Sequence, residues 1–311
     1  MKNLFKICRN SLATIVCATA AIAMISTPET AFAKKKKNIG IQLYSVMDAV
    51  NKDPKGSIER LSNMGYNVFE LVQWGGNEKV FGLSAEEFKD ICSKNGAKIV
   101  STHSGIQEDT SKEEEIMNNW RKLFEIQKAC GGKYFVIPSY RVDYTTKDVK
   151  QMCDYFNRVG KIASEYGLKL GYHNHSNEYK NLKDSDKVMW EYMVENTDPK
   201  YVCFEMDVYW CTKGGKNPVE YLKKYPKRIE ILHIKDDFVI GESGTIDFEN
   251  IFKQFYKNGM KDYVVEIETP KSIREKTNAD GSKYSQAQIS DEVFKAAQKS
   301  QEYLNKAKFV K

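Results

Sequence analysis

The feature that most constrains this chain is a regular alternation of two kinds of segment from residue 38 onward. Short runs rich in β-branched and aromatic residues alternate with amphipathic runs of helical length. Repeated strand–helix units of this kind are typical of a parallel sheet whose strands are joined by crossover helices. Eight strands are predicted, at Ile39–Val46, Val68–Trp74, Lys98–His103, Tyr134–Pro138, Leu168–His175, Val202–Trp210, Ile229–Lys235 and Tyr263–Glu268.

The boundaries of the intervening amphipathic runs carry residues that start and end helices. Ser84 and Glu87 have the spacing of a capping box at one helix start. Glycines able to adopt a positive φ end four of the runs, at Gly65, Gly96, Gly131 and Gly167. The predicted helices are Ser57–Met64, Ser84–Lys94, Lys112–Ala129, Thr146–Tyr166, Lys187–Glu195, Pro218–Tyr225, Phe248–Asn258 and Ser290–Lys306.

Eight strand–helix repeats in one chain predict an α/β protein with a single-domain (β/α)8 TIM barrel. No Pro- or Ser-rich linker divides residues 34–311, so two doubly wound domains are the weaker interpretation. A seven-stranded or irregular barrel is the alternative. Barrel enzymes place their active sites at the carboxyl ends of the strands, and the candidate functional residues are therefore sought there.

The first 33 residues predict a cleaved secretory signal peptide. Three basic residues precede an apolar stretch over residues 12–25, and Ala31 and Ala33 supply small side chains before a cleavage site. The apolar stretch is shorter than the roughly 18–20 residues of a membrane span, so a permanent anchor is the weaker interpretation. The expected division is a signal peptide at 1–33 and a barrel at 34–311, exported to the periplasm or the extracellular medium and free of the membrane after cleavage.

Charge and cysteine content argue against two other classes of protein. The net charge is +6, and removal of residues 1–33 takes away three basic residues and one acidic residue, leaving +4. So small an excess does not form the basic stripe of a nucleic-acid-binding protein. Five cysteines remain, and no two have the two-residue spacing of a zinc knuckle or redox motif. Buried free thiols are therefore predicted rather than a disulfide framework.

Histidines and carboxylates concentrate at the ends of the last four predicted strands. His173 and His175 lie two residues apart at the end of the fifth strand, and hence on one face of it. The following strands carry Glu205 and Asp207, then His233, then Glu266 and Glu268.

This concentration predicts a metal site. Three of the four histidines of the chain fall at these strand ends. A mixed set of nitrogen and oxygen ligands, here His173, Asp207, His233 and Glu266, suits Mn, Zn, Co or Fe. The structural alternative is that these groups only form buried hydrogen bonds in the mouth of the barrel.

The same strand ends resemble the xylose isomerase-like TIM barrel superfamily, in particular its sugar phosphate isomerase/epimerase branch. The segments that carry the resemblance are GYHNH at 171–175, FEMDVYW at 204–210, LHIKD at 232–236, GESGTIDF at 241–248 and VVEIE at 264–268. They occur in the order found in the family, and the resemblance runs from about Ile39 to the carboxyl end.

The resemblance implies one metal ligand from each of the last four strands, namely His173, Asp207, His233 and Glu266. The implied cofactor is a divalent ion such as Mn, Zn, Co or Mg. The commonest residue of the family at the position of His173 is a glutamate, which moves a proton on one face of the sugar. The symmetrical two-carboxylate mechanism is therefore not expected to carry over unchanged, and Glu268 is a further candidate for ligand or base.

Other polar and aromatic side chains near strand ends are predicted to contact substrate: Glu70, His103, Trp210 and Lys235. The structural alternative for His103 is that it is a capped histidine in a loop. The structural alternative for the aromatic residues Tyr44, Trp74 and Trp210 is that they only pack in the mouth of the barrel. The polar stretch Thr269–Gln288 lacks periodicity and is predicted to be an irregular loop over the site. A lid is its functional interpretation, and a surface excursion is its structural one.

These residues fit proton abstraction beside a carbonyl of a free sugar or glycoside, with Glu266, Glu268 or His175 as the base. The predicted function is a metal-dependent sugar isomerase or epimerase with a small carbohydrate substrate. A lyase or hydrolase of 3-keto-glycosides acting by β-elimination is the alternative reaction. A non-catalytic sugar-binding barrel is the alternative from another functional class. The sequence also leaves open whether the protein forms a homodimer. The nucleases of the superfamily are disfavoured by the few histidines and the small charge.

Overall fold

Eight parallel strands close into a barrel in which each strand pairs with the strands before and after it in the chain. The computed structural model describes residues 37–73 and 78–311. The predicted (β/α)8 TIM barrel is confirmed. The strands are β1 (Gly40–Gln42), β2 (Val68–Val72), β3 (Lys98–His103), β4 (Tyr134–Ile137), β5 (Lys169–His173), β6 (Val202–Asp207), β7 (Ile229–Ile234) and β8 (Asp262–Val265).

Within the described residues the chain also forms eleven α-helices, which include all eight predicted ones. The capping box of Ser84 and Glu87 is present, and the four predicted glycines have a positive φ. The helices are α1 (Met47–Lys52), α2 (Pro54–Met64), α3 (Ala85–Lys94), α4 (Glu113–Cys130), α5 (Thr146–Glu165), α6 (Met189–Asn196), α7 (Val208–Lys213), α8 (Pro218–Lys224), α9 (Phe248–Lys257), α10 (Lys271–Arg274) and α11 (Gln286–Lys306).

Two predicted strands are too long because helices begin inside them. The strand predicted at Val202–Trp210 ends at Asp207, whose side chain accepts the Trp210 backbone N–H at 2.8 Å and caps α7. The strand predicted at Ile39–Val46 gives way to a 3-10 helix at Leu43–Val46. Both corrections place a helical turn at the carboxyl end of a strand, beside the predicted site.

Two β-bulges set which side chains face the barrel interior. In β3 Val100 is extra relative to β2, and in β7 Glu230 is extra relative to β6. One extra residue moves every following side chain to the other face of its strand. Without these bulges, His103 and His233 would face the surrounding helices instead of the barrel interior.

Apolar side chains fill both sides of the barrel wall. A large cluster lies between the strands and the helices, and it includes the stacked Trp120 and Phe124. A smaller cluster fills the interior, where its members precede the polar residues of the strands and so form the base of the site. The interior cluster consists of Val68, Val100, Tyr134, Val136, Cys203, Ile231 and Val264.

The stretch predicted as an irregular loop, Thr269–Gln288, is partly helical. The short helix α10 begins after Pro270. The helix α11 begins earlier than predicted because Ser285 and Gln288 form a capping box. The prediction of irregular structure is therefore wrong at both ends of the stretch. The residues that form these helical turns are mostly polar, so the sequence shows no helical repeat of apolar residues there.

The predicted signal peptide at 1–33 and Trp74 lie outside the described residues. Residues 37–311 form one compact unit. Within the described ranges, no helix combines the length and the apolar character needed to cross a membrane. All five cysteines of these ranges are buried and free, which confirms the prediction of buried thiols for Cys92, Cys130 and Cys153.

Gly40 lies where β1 closes the barrel against β8, and we expect a side chain there to weaken the closure. A Cβ at Gly40 would be 2.3 Å from the carbonyl oxygen of Tyr263 and 2.9 Å from Cγ1 of Val264. Such overpacking typically costs about 1–3 kcal/mol, so Gly40→Ala should lower the free energy of unfolding in urea by that amount. The control Lys98→Ala, at an exposed position of β3, should change it by less than about 0.5 kcal/mol. Equal unfolding midpoints for the two variants would contradict this prediction.

Candidate active site

A cavity of about 220 Å³ opens at the carboxyl ends of the strands. Its lining combines imidazoles and carboxylates of the strand ends with aromatic side chains of the helical turns after β1 and β6. Three predicted site residues, Glu70, Asp207 and Lys235, are buried against this cavity without being exposed in it. The predicted site residues in its lining are His103, His173, His175, Trp210, His233, Glu266 and Glu268.

The four predicted metal ligands converge at the floor of the cavity. His173 Nε2 lies 4.0 Å from Asp207 Oδ2. His233 Nδ1 lies 3.4 Å from the same oxygen and 3.6 Å from Glu266 Oε2. One atom each from Asp207, His233 and Glu266 lies within 4.8 Å of the other two. Asp207, His233 and Glu266, at the ends of β6, β7 and β8, thus share one place, and His173 at the end of β5 adjoins it beside Asp207.

Asp207 is held so that one carboxylate oxygen remains for the imidazoles. Its Oδ1 accepts the backbone N–H of Trp210 at 2.8 Å. Asn174, directly after β5, holds the backbone of Asp207, because Asn174 Oδ1 accepts the Asp207 N–H at 3.1 Å and Asn174 Nδ2 donates to the Asp207 carbonyl at 3.2 Å. The other oxygen, Oδ2, therefore faces His173 and His233.

Two fully buried carboxylates lie under the imidazoles, Glu70 on β2 and Glu205 on β6. Glu205 Oε2 is 3.1 Å from His173 Nδ1. Glu70 Oε1 is 3.4 Å from His233 Nε2, although this ring N–H is not aligned for a hydrogen bond. Each imidazole thus presents one nitrogen to a carboxylate and the other to the cavity floor. A carboxylate behind a metal-binding histidine orients its ring and raises its basicity.

His103 lies beside these carboxylates with both ring nitrogens occupied. Its Nε2 is 2.6 Å from Glu205 Oε2 and 3.1 Å from Glu70 Oε1. Gln42 Nε2 donates to Glu70 Oε1 at 3.0 Å and lies 2.7 Å from His103 Nδ1. Ser101 Oγ donates to the other oxygen of Glu70 at 2.5 Å. The structure therefore places Glu70 below the cavity, against protein groups, and gives His103 only a ring surface toward it.

The buried ammonium of Lys235 bridges two carboxylates at the cavity wall. Its Nζ is 3.0 Å from Glu266 Oε2 and 2.7 Å from Glu268 Oε2. Burial alone would lower the pKa of Lys235, but the surrounding carboxylates, Glu266 first, hold it above its ordinary value. Burial alone would raise the pKa of Glu266, but Lys235 and His233 hold it below its ordinary value. At neutral pH this pair is therefore a full ion pair.

His175 and Trp210 form another part of the wall. The ring centroid of His175 is 5.0 Å from that of His173 and 5.7 Å from that of Trp210. His175 follows β5 instead of belonging to it, and its backbone N–H donates to Glu178 Oε2 at 3.0 Å. The two histidines predicted for one strand face thus lie at different heights, one at the floor and one at the wall.

The donor set at the cavity floor fits a divalent metal ion. Burial and the neighbouring imidazoles of His233 and His103 hold the pKa of His173 well below its ordinary value. Two imidazole nitrogens and two carboxylate oxygens form a mixed ligand set of the kind that divalent metals prefer.

Three residues of the site have no role that the sequence patterns predict: Gln42, Asn174 and Glu205. The available signal for Glu205 is its position two residues before Asp207, on the same face of β6. Gln42 and Asn174 carry no comparable signal, because their partners lie on other strands.

Comparisons with known proteins agree with this architecture. A family model described as a xylose isomerase-like TIM barrel matches residues 58–291. The crystal structure of a sugar phosphate isomerase/epimerase from Parabacteroides distasonis is 32% identical and has a TM-score of 0.76. The alignment covers 88% of this chain and 100% of that one.

Two more distant relatives are similar over a shorter part of the chain or at a lower sequence identity. An inosose dehydratase from Clostridium beijerinckii is 26% identical over 168 residues, which are 46% of this chain and 52% of that protein. The chain spans about half the length of the curated relatives it matches. The IolI protein, whose crystal structure holds a zinc atom, is 18% identical with a TM-score of 0.61 over 85% of this chain and 96% of that one. At that identity the likeness extends to the fold alone.

The proteins similar to this chain are thus named as an isomerase/epimerase and a dehydratase. The chain belongs to the xylose isomerase-like TIM barrel family, as its strand-end segments predicted. This membership favours an enzyme over a non-catalytic sugar-binding barrel.

Glu205→Gln should weaken metal binding while the barrel stays folded. The amide keeps the shape of the side chain but replaces a carboxylate oxygen behind His173 Nδ1 with a weaker acceptor. Loss of such an outer partner typically lowers metal affinity about 10- to 100-fold. Calorimetric titration of the apo protein with Zn or Mn measures the change, and circular dichroism reports the fold. The control Glu249→Gln, at an exposed residue paired with Lys253, should bind as the wild type does. Equal affinities of E205Q and the wild type would contradict the role of Glu205.

Proposed function

We propose that this chain is a metal-dependent enzyme that removes a proton beside a carbonyl of a carbohydrate and thereby isomerises or epimerises a free sugar or glycoside. The observation that carries the proposal is the convergence of His173, Asp207, His233 and Glu266 next to the Lys235 ion pair. The sugar phosphate isomerase/epimerase among its relatives supports a carbohydrate as substrate.

His173, Asp207, His233 and Glu266 would hold the metal ion, and the two imidazoles favour Mn, Zn or Co over Mg. A divalent ion held there supplies Lewis acidity toward a substrate oxygen.

Glu268 is the group best placed to accept the proton. Its Oε2 is held by Lys235 Nζ at 2.7 Å, while 47% of its side chain is exposed. Glu266 is only 12% exposed and belongs to the metal ligands. A general base must come within hydrogen-bond reach of the proton it removes, and Glu268 meets this condition at the cavity wall. Lys235 fixes the position of the carboxylate.

His175 is the counterpart of Glu268 on another side of the cavity. It follows β5, whereas Glu268 follows β8, three strands further around the barrel. Because His173 stands where the family has a proton-transferring glutamate, the adjacent His175 is the group left to carry a proton on that side. Removal of a proton from one face and its return on the other inverts a carbon, which is epimerisation.

β-Elimination is the second candidate outcome, and the similarity to inosose dehydratases favours it. It begins with the same proton removal by Glu268 beside a carbonyl. The electron pair of the broken C–H bond then forms a C=C bond while the group on the next carbon leaves, taking up a proton. From an inosose the products are an enone and water, and from a 3-keto-glycoside they are an enone and the free alcohol.

Turnover of keto-sugars and 3-keto-glycosides in D₂O separates these outcomes. Epimerisation or isomerisation should place solvent deuterium beside the carbonyl with all substituents kept, whereas elimination should release water or the alcohol. Glu268→Gln should lower either activity at least about 100-fold, because the amide cannot accept the proton. Glu275→Gln, exposed after α10, is the control and should react as the wild type does. Unchanged deuterium uptake by E268Q, followed by mass spectrometry, would contradict this assignment.

Metal content tests the assigned ligands. The purified protein should contain about one divalent ion per chain by elemental analysis. Asp207→Ala and His233→Ala should each lose the ion and the activity together, while Asp186→Ala, at an exposed loop position, should keep both. A wild-type protein that stays free of metal after soaking with Mn, Zn or Co would contradict the site.

Export is also part of the proposal, supported by the basic, apolar and small-residue pattern of residues 1–33. An exported chain acts outside the cytoplasm, where free sugars and glycosides are the expected substrates. The mature protein isolated from a secreting bacterial host should begin at Lys34. An intact mass that includes Met1 would contradict cleavage.

A further inference from the structure

We propose that a second cavity next to the first is a subsite for a further glycosyl unit, so that the substrate is a glycoside of at least two units. This inference rests on the sugar chemistry proposed for the first cavity. It adds a binding site made by the 3-10 helix and α1 after β1 and by the two helices that follow β8.

The two cavities meet at two shared side chains. The second cavity measures about 350 Å³, against about 220 Å³ for the first. Tyr44 and Glu268 line both of them. A sugar unit over the metal ligands can therefore continue into the second cavity without crossing the protein interior.

The junction between the cavities is held in place by the closure of the barrel. Ser45 Oγ accepts the backbone N–H of Ile267 at 2.8 Å, which ties the loop after β1 to the segment after β8. Lys235 holds the neighbouring Glu268. The backbone next to Tyr44 and the carboxylate of Glu268 are thus held by contacts that do not depend on a ligand.

Tyr44 presents an unusual surface at this junction. Within residues 37–73 and 78–311, only Tyr44 and Tyr303 are large apolar side chains with a high exposed fraction, 44% and 36%. A tyrosine joins an apolar ring face with a polar hydroxyl. This combination suits a sugar ring, which offers C–H groups on its faces and hydroxyls at its edge.

The wall of the second cavity away from Tyr44 carries both a negatively charged and a positively charged side chain. Asp48 on α1 accepts a hydrogen bond from Gln286 at the start of α11. Arg274 on α10 lines the same cavity, and its guanidinium makes no hydrogen bond or ion pair with any other described residue. A phosphate site gathers cations, whereas here a carboxylate offsets the single arginine. Donors and acceptors in this balance favour the hydroxyls of a neutral glycosyl unit.

The arrangement has a consequence for the reaction. A substrate that occupies both cavities must pass its inter-unit linkage between Tyr44 and Glu268. The group proposed to remove the proton therefore lies at the linkage, and the unit in the second cavity is the one that would leave in an elimination.

Binding measurements test the subsite independently of turnover. Calorimetry with Mn-loaded protein compares glucose and galactose with cellobiose, maltose and lactose, and with glucose 1-phosphate. At least one disaccharide should bind about tenfold more tightly than its monosaccharide. Arg274→Ala and Gln286→Ala should each remove most of this advantage and affect the monosaccharide less. Lys271→Ala, an exposed change on the same helix as Arg274, should keep the advantage.

The possible results separate the subsite from the proposed function. Equal binding of monosaccharides and disaccharides, or an equal loss of both in R274A, would overturn the subsite and leave the sugar chemistry of the first cavity standing. Binding of glucose 1-phosphate above every disaccharide, lost in R274A, would make the second cavity an anion site and overturn the glycosyl assignment. A wild-type protein that binds none of these sugars would overturn the subsite, while the turnover of keto-sugars decides the proposed function separately.

Discussion

The burial of two carboxylates inside the barrel is the constraint on which the site depends. Glu70 and Glu205 have no exposed surface, and a buried charge costs several kcal/mol unless polar partners surround it. Three imidazoles therefore gather above them, and each faces a carboxylate with one ring nitrogen. The nitrogens that remain on His173 and His233 point to the cavity floor. The proposed metal-binding face of the site thus follows from the way the barrel satisfies its own interior charges.

Much of the fold can be predicted from the sequence, because each strand–helix unit carries its own local signals. The bounds of β3 match the prediction, and the capping box at Ser84 marks the start of α3. The prediction fails where a strand ends in a helical turn, as at Asp207 and after Gln42. Apolar and aromatic residues continue through these turns, so the alternation alone does not show that the backbone has changed direction.

The four proposed metal ligands can be predicted from two rules, the period of two along a strand and the position of sites at the carboxyl ends. The inward direction of His233 cannot be predicted in this way, because it depends on the extra residue Glu230 in β7. The hydrogen-bond partners of the imidazoles cannot be predicted from the sequence for a similar reason. Gln42 and Glu205 meet His103 only after three separate strands have come together in the barrel.

The buried thiols have a consequence for how this protein meets oxidants. Burial raises the pKa of four of the five to about 12, and that of Cys203 even further. The thiolate is the form that attacks disulfides and reacts with oxidants. These buried cysteines are therefore unreactive as long as the barrel stays folded. Their reactivity returns only when strands and helices separate. An oxidising compartment therefore modifies only those copies whose barrel has opened, and modification of the thiols records unfolding.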